Sequence, residues 1–255
     1  MGEMSDSSLA DLSALPFELQ TLAQTVNYQK WVMSSIEPFL GKRILELGSG
    51  IGNMSQHFSN AELIYLTEGD PQCYQFLAPF IEKKKKEGLA FQGELLDLNT
   101  PWVERLSQMN FDTVISFNVM EHIEDDEAAF RQQYHILKNS TAPGPKRIVV
   151  FAPAHPEIYG TLDRKFLHFR RYDRERIRKI FQTIDPACKV TSRYFNVVGV
   201  IGWILLGQIL KRNEIGVASA QTFEKIIPLV RGFDDFIHKK LKLPIGQSLI
   251  SVITI

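Results

Sequence analysis

Cysteine is nearly absent: Cys73 and Cys188 are the only two in 255 residues. Two isolated thiols form neither a metal-ligand spacing nor a disulfide framework, and they suit a reducing cytoplasm. Net charge is absent as well, since 29 basic residues balance 29 acidic ones. A neutral chain lacks the broad positive field on which nucleic-acid binding depends, so DNA and RNA are not expected as partners. No apolar run is long enough to cross a bilayer. The longest, Val197 to Leu210, is interrupted by Gly199, Gly202, Gly207 and Gln208, and it falls short of the roughly 18–20 residues a span requires. It reads as a buried or lid helix, with interfacial membrane contact or a greasy substrate pocket as the alternatives. The first 15 residues are acidic and Ser-rich. They lack the basic start and apolar centre of a signal peptide and read as a disordered N-terminus.

What is present is a large apolar fraction, 44% of the chain. That supports one substantial domain. Residues 16–255 are expected to form it, with 16–41 as an N-terminal helical cap and 196–244 as a helical lid insertion. The pattern along the chain alternates. A helix is expected over 17–39 in one or two pieces, a strand at 44–47, and a helix after Gly52. A strand at 63–67 precedes a helix at 72–86, and a short strand follows at 89–92. A strand at 113–117, a helix at 125–137 and a strand at 147–151 continue the rhythm. It predicts an α/β, Rossmann-like, doubly wound and mostly parallel sheet. The last third differs: a helix at 173–182 with Asp173 as N-cap, a strand at 189–195, a long apolar helical stretch, and a final strand at 247–255. Two late strands joined by so long an excursion suggest an antiparallel pair closing one edge.

The densest signal is Arg43-Ile44-Leu45-Glu46-Leu47-Gly48-Ser49-Gly50-Ile51-Gly52-Asn53. A short apolar strand runs into a loop with glycine at alternate positions. Such a loop lets a ligand lie directly on backbone, because glycine tolerates positive φ and has no Cβ. At the carboxyl end of the first strand of an open sheet it marks the nucleotide-binding crevice. Two ligands compete for it. The dinucleotide pattern of NAD(P)-dependent oxidoreductases wants a third glycine where Asn53 stands. Glu46, in the strand that the loop ends, would point a carboxylate into the site, repelling a pyrophosphate and suiting a cation. S-adenosylmethionine carries a sulfonium and an ammonium group and no phosphate. Glu68, about 20 positions beyond Gly48, is spaced to take ribose hydroxyls of either ligand.

Glu46-x-Gly48-x-Gly50-x-Gly52 resembles the first motif of the class I S-adenosylmethionine-dependent methyltransferases, and the resemblance runs through most of the chain. It implies a seven-stranded sheet with an antiparallel seventh strand between the fifth and sixth. It implies S-adenosylmethionine as cofactor, held by Tyr28, Glu46, Gly48, Ser49, Gly50, Gly52, Asn53, Glu68, Asp97, Leu98, Asn118 and Val119. In this scheme Glu68 is the ribose acid, Asp97 reaches the adenine amino group, and Asn118 and Val119, after the fourth strand, flank the transfer site. Tyr28, on a helix that folds over the cofactor in related enzymes, touches the methionine end. A protein or peptide acceptor stays open beside the favoured small, partly hydrophobic molecule.

Methyl transfer mainly requires that a nucleophile be held in line with the sulfonium methyl. A base is needed only for an acceptor protonated at neutral pH. His122 and His168 are the candidates, although His122 also reads as a structural histidine beside Glu121. Tyr159, His168, Arg170, Arg171, Tyr172, Asn196 and Trp203, with Phe166 and Phe195, are candidates for the acceptor pocket. For Arg170 and Arg171 an equal alternative is ion pairing with Asp163, Asp173 and Glu175. No metal-ligand cluster is visible, and no metal is expected.

Overall fold

The computed structural model describes residues 15, 17–205, 217–241 and 243–255. Strands β1 (Arg43–Leu47), β2 (Leu63–Glu68), β3 (Phe91–Leu95), β4 (Thr113–Phe117), β5 (Arg147–Pro153), β6 (Lys189–Phe195) and β7 (Ser248–Thr254) form one sheet. Its order is β3-β2-β1-β4-β5-β7-β6. The first five strands run parallel, and β7 lies antiparallel to both β5 and β6. The expected doubly wound sheet with one reversed strand is therefore what the chain forms. The order reverses between β1 and β4, which puts the ligand crevice of such a sheet at their carboxyl ends.

The helices are α1 (Phe17–Ala23), α2 (Val26–Ile36), α3 (Pro71–Lys86), α4 (Val103–Leu106), α5 (Asp126–Lys138), α6 (Thr161–Lys165), α7 (Arg174–Ile184), α8 (Val197–Trp203) and α9 (Val217–Phe236). Side chains alternate across each strand, so the sheet has two cores. One packs Leu45, Leu47 and Val114 against Trp102, Phe130, Leu137, Ile177 and Phe181 of the α4, α5 and α7 side. The other packs Ile44, Ile64 and Ile115 against Trp31, Ile36, Leu77, Ile81, Ile227 and Val230 of the α2, α3 and α9 side. Asp112 pins the start of β1 to β4: its carboxylate accepts from the amides of Lys42 (2.7 Å) and Arg43 (3.1 Å). A Cβ on Gly41 would fall within 2.1 Å of that carboxylate, so only glycine fits beside it.

Helix starts follow their caps. Asp70, Asp125 and the expected Asp173 accept from the amides of Gln72, Ala128 and Arg176, filling orphan donors of α3, α5 and α7. Two expectations need correction. The helix after Gly52 is only a short 3₁₀ turn, Ser55–His57. The linker to β2 is rich in Ser and Asn, which compete with helix by bonding to nearby backbone, and Asn60 sits at φ 57°. The third strand starts at Phe91, not Leu89, because Phe91 is buried and Leu89 faces solvent.

The region expected as a lid is attached at both described ends. Asn196 caps α8, its Oδ1 accepting from Gly199 N at 2.8 Å. The Glu224 carboxylate of α9 accepts from the amides of Asn27 and Tyr28 at the start of α2. Residues 206–216, within the expected insertion, and residues 1–14 of the expected disordered terminus lie outside the described residues. No described helix is long and apolar enough to cross a membrane.

Candidate active site

The glycine loop leaves β1 with Gly48, Gly50 and Gly52 at φ 64°, 57° and 88°. Non-glycine residues pay roughly 1–2 kcal/mol to adopt such angles. Gly48 faces Val119 from the end of β4; a Cβ there would lie 2.6 Å from Val119 Cγ2. Ser49 N donates to Thr67 O at 2.7 Å, which ties the loop to β2. Gly50 N donates to Glu68 Oε2 at 2.7 Å. The other Glu68 oxygen accepts from the amides of Gly69 (2.8 Å) and Asp70 (2.9 Å). Three backbone donors thus aim one carboxylate at the crevice.

Asp97 stands in the neighbouring loop. Leu96 N donates to Glu68 O at 2.7 Å, and Asp97 Oδ1 accepts from Asn99 N at 2.9 Å. Asp97 is exposed and Leu98 beside it is buried. Asn118, exposed at φ 51°, donates its amide to Phe151 O at 2.7 Å. The structure therefore brings the glycine loop, Glu68, Asp97, Leu98, Asn118 and Val119 to the carboxyl ends of β1 to β4.

Glu46 lies beneath the loop, 1% exposed. Ser55 Oγ donates to its Oε2 at 2.5 Å. Burial pushes the carboxyl up to about 8, and the charge of Glu68 adds to the rise. Near neutral pH the group holds its proton until a cation comes close. Asn53 is occupied elsewhere: its Nδ2 donates to Leu19 O at 3.0 Å. Leu19 itself covers Gly50, where a Cβ would lie 2.8 Å from Leu19 Cδ2. The Tyr28 ring packs on Trp31, Phe195 and Phe223. From the cap helices, Leu19 and Gln29 reach the loop region. Gln29 Oε1 accepts from Gln56 Nε2 at 3.0 Å and faces His57 Nε2 at 2.7 Å. Nothing local in the sequence marks either residue.

The second half of the site follows β4 and β5. The His122 and His168 rings meet edge to face at 4.8 Å between centroids. His168 Nδ1 faces Asp163 Oδ1 at 3.1 Å, and Tyr159 Oη donates to His168 O at 2.7 Å. Desolvation and the nearby His168 push His122 down to about 4, so its ring is neutral near pH 7. Between them lies Glu121, fully buried and pushed up to about 7 by that burial.

For the two arginines the structure favours the ion-pair reading, with partly different partners. Arg171 is buried, donates from Nε to Asp163 Oδ1 at 2.7 Å and from Nη1 to Ala154 O, and lies 4.6 Å from the Trp203 ring centroid. Arg170 donates to Ile123 O and Glu124 O and pairs with Asp126 at 3.2 Å. Asp173 caps α7 and Glu175 pairs with Lys179. Tyr172 is also buried, with Oη 2.7 Å from Asp126 Oδ2 and 2.9 Å from Met120 O. Asn196 caps α8. Of the acceptor candidates, His168, Tyr159 and Trp203, with Phe166 6.0 Å from the Trp203 ring, still border the histidine pair.

Glycine backbone at positive φ, a carboxylate fixed by three amides and a buried carboxyl raised to about 8 meet at this crevice. Residues 45–141 match the family model described as a methyltransferase domain. This stretch is a methyltransferase domain, and the enzyme it makes is S-adenosylmethionine-dependent. Its cofactor is S-adenosylmethionine, and the oxidoreductase alternative falls. A search of curated proteins finds no match. Among solved structures, the methyltransferase resembles the methyltransferase domain of a bacterial CtHen1, with TM-score 0.53 and 14% identity over 90% of this chain and 100% of that one. It also resembles a SAM-dependent methyltransferase from Archaeoglobus fulgidus, with TM-score 0.52 and 15% identity over 94% and 99% of the two chains. At these identities the likeness is one of fold.

Proposed function

We propose that the enzyme methylates O, N or C of a small, partly hydrophobic organic molecule. The observation that carries this is the rim beside the histidine pair. Leu167 and Phe169 are 78% and 53% exposed, yet both are anchored there. Leu167 N donates to Arg164 O at 3.2 Å, and Phe169 N donates to Glu121 O at 2.8 Å. Exposed apolar side chains placed beside converging polar groups fit a small ligand with an apolar body.

Bound S-adenosylmethionine supplies an electrophilic methyl group on sulfur. Glu68 would hold its ribose hydroxyls, Asp97 its adenine amino group, and Glu46 would answer its positive charge. Asn118 and Val119 would wall the space in which donor and acceptor meet. What remains for the chain is alignment of the acceptor at roughly 3–3.5 Å and exclusion of water. A cytoplasmic location is part of the proposal and rests on the two free thiols, Cys73 and Cys188.

The test is incubation with methyl-labelled S-adenosylmethionine and a fractionated metabolite extract, read by mass spectrometry. Label in a small organic product is the expected result. Label confined to protein or nucleic acid would overturn the acceptor class.

A further inference from the structure

Glu121, His122 and His168 each offer one ligand atom, and the three atoms lie within 4.8 Å of one another. Glu121 is 0% exposed, and neither carboxylate oxygen has a hydrogen-bond partner. Burying a carboxyl without partners costs several kcal/mol, roughly, unless a cation or donor meets it. The nearest fixed cation, Arg171, spends Nε on Asp163 and Nη1 on Ala154 O. One imidazole is held from behind. His168 Nδ1 faces the Asp163 carboxylate at 3.1 Å, and the His122 ring lies edge to face on the His168 ring. An anchor on one ring nitrogen sets the tautomer and presents the other nitrogen's lone pair. It is the outer-shell arrangement that accompanies metal-bound histidines.

We propose that Glu121, His122 and His168 bind one divalent transition-metal ion, whose open positions take an oxygen of the methyl acceptor. Two imidazoles and one carboxylate suit Zn²⁺, Fe²⁺, Co²⁺ or Mn²⁺ better than Mg²⁺ or Ca²⁺. Bonds of about 2.0–2.2 Å bring neighbouring ligand atoms to about 3–3.5 Å. Rotation of the exposed His122 side chain would have to supply that contraction. The role assigned to the acceptor rests on the proposed function; the metal site does not. An acceptor hydroxyl on the ion would lose its proton to solvent more readily than in water. Its lone pair would then form the O–C bond to the methyl, while the C–S pair stays on sulfur.

The experiment uses the untagged full chain, stripped by chelator and dialysed, titrated with Co²⁺ and followed by visible d–d absorption. One Co²⁺ per chain is expected, displaced by Zn²⁺. Loss of an outer-shell partner costs about 10–100-fold in metal affinity, so His122→Ala and Glu121→Gln should each cost at least about 100-fold. His135→Ala, at an exposed histidine of α5, should leave the titration unchanged. If Glu121→Gln fails to fold, His122→Ala at its exposed position carries the test. No absorption with millimolar Co²⁺, or equal binding by a His122→Ala/His168→Ala double variant, overturns the site. Calorimetry of S-adenosylmethionine on the same stripped protein reports on the methyltransferase reading independently of the Co²⁺ result.

Discussion

Glu46→Gln separates what one carboxyl does for the empty protein from what it does for the cofactor. The side chain is 1% exposed and bonded to Ser55, and burial carries it from 4.5 to about 8. At ~1.4 kcal/mol for each tenfold change, ionising it in the ligand-free fold costs roughly 3–6 kcal/mol. The folded pKa lies above the unfolded one. The stability that the protonated group contributes is therefore complete below about pH 4.5 and is lost as pH rises through about 8. Glutamine never ionises. The melting temperature of Glu46→Gln should gain on the wild type between pH 5 and 9, whatever the offset at pH 5.

The cofactor reverses the preference. A sulfonium or ammonium beside Glu46 favours the carboxylate, so binding below pH 8 should expel its proton. The wild-type Kd for S-adenosylmethionine should then fall by about tenfold per pH unit well below pH 8, and by about 50-fold from pH 6 to 8. The amino group of the ligand titrates in the same range, at about 7.7–8.0, but it does so identically with both proteins. The difference in slope between wild type and Glu46→Gln isolates the carboxyl. Calorimetry at pH 6, 7 and 8 in phosphate and in Tris measures both the slope and the proton released. Equal slopes for the two proteins, with no difference in proton release, would refute the placement of a cationic group beside Glu46.

Three further outcomes follow from named contacts. Gly50→Val puts a side chain at φ 57° and within 2.8 Å of Leu19; it should cost about 1–2 kcal/mol of stability from the backbone alone and abolish cofactor binding in calorimetry, and unchanged affinity would count against the loop assignment. Glu68→Gln removes the charge that three amides share and that the proposed ribose contact would use. Charged hydrogen bonds are worth about 1.5–3 kcal/mol each, so the Kd for S-adenosylmethionine should rise about 10–100-fold, while an unaltered Kd would exclude Glu68 from the ribose. Arg171→Met leaves Asp163 buried without its main partner and should destabilise the fold by about 3–5 kcal/mol in urea; unchanged stability with a raised KM for acceptor would restore the arginine to the substrate pocket.

The donor half of the site was legible because its signals are local. An apolar strand, a glycine loop and an acid at the end of the next strand fall in sequence order, and the parallel sheet then sets their ends side by side. Strand β3 was read early because Leu89 is apolar in sequence but solvent-exposed. Gly93, which looks like a breaker, is what lets β3 lie beside β2: a Cβ there would come within 2.4 Å of Leu66 O. Tyr28 is expected at the methionine end, but a helix position does not say which neighbour covers it. Glu224 of α9 caps α2 from nearly two hundred residues away, and Tyr28 packs under that contact with Phe195 and Phe223.

The loop rich in His, Arg and Tyr after β5 illustrates why composition misleads at strand ends. Polar residues there look like ligands for a substrate. A buried loop, however, must satisfy its own carbonyls and charges. Arg171 serves Ala154 O and Asp163, Arg170 serves Ile123 O and Glu124 O, and Tyr172 serves Met120 O and Asp126. Those bonds also brace the turn that carries Glu121 and His122 against the segment that carries His168. The arginines and the tyrosine thus act on the site from behind, by holding it. Both Glu121 oxygens keep unspent capacity, and His122 and His168 each offer a ring nitrogen within 4.8 Å of them. Glu121 and His122 are neighbours in the chain, but His168 comes from a separate segment after β5, so no spacing rule would have joined it to them, and only the folded arrangement brings the three together.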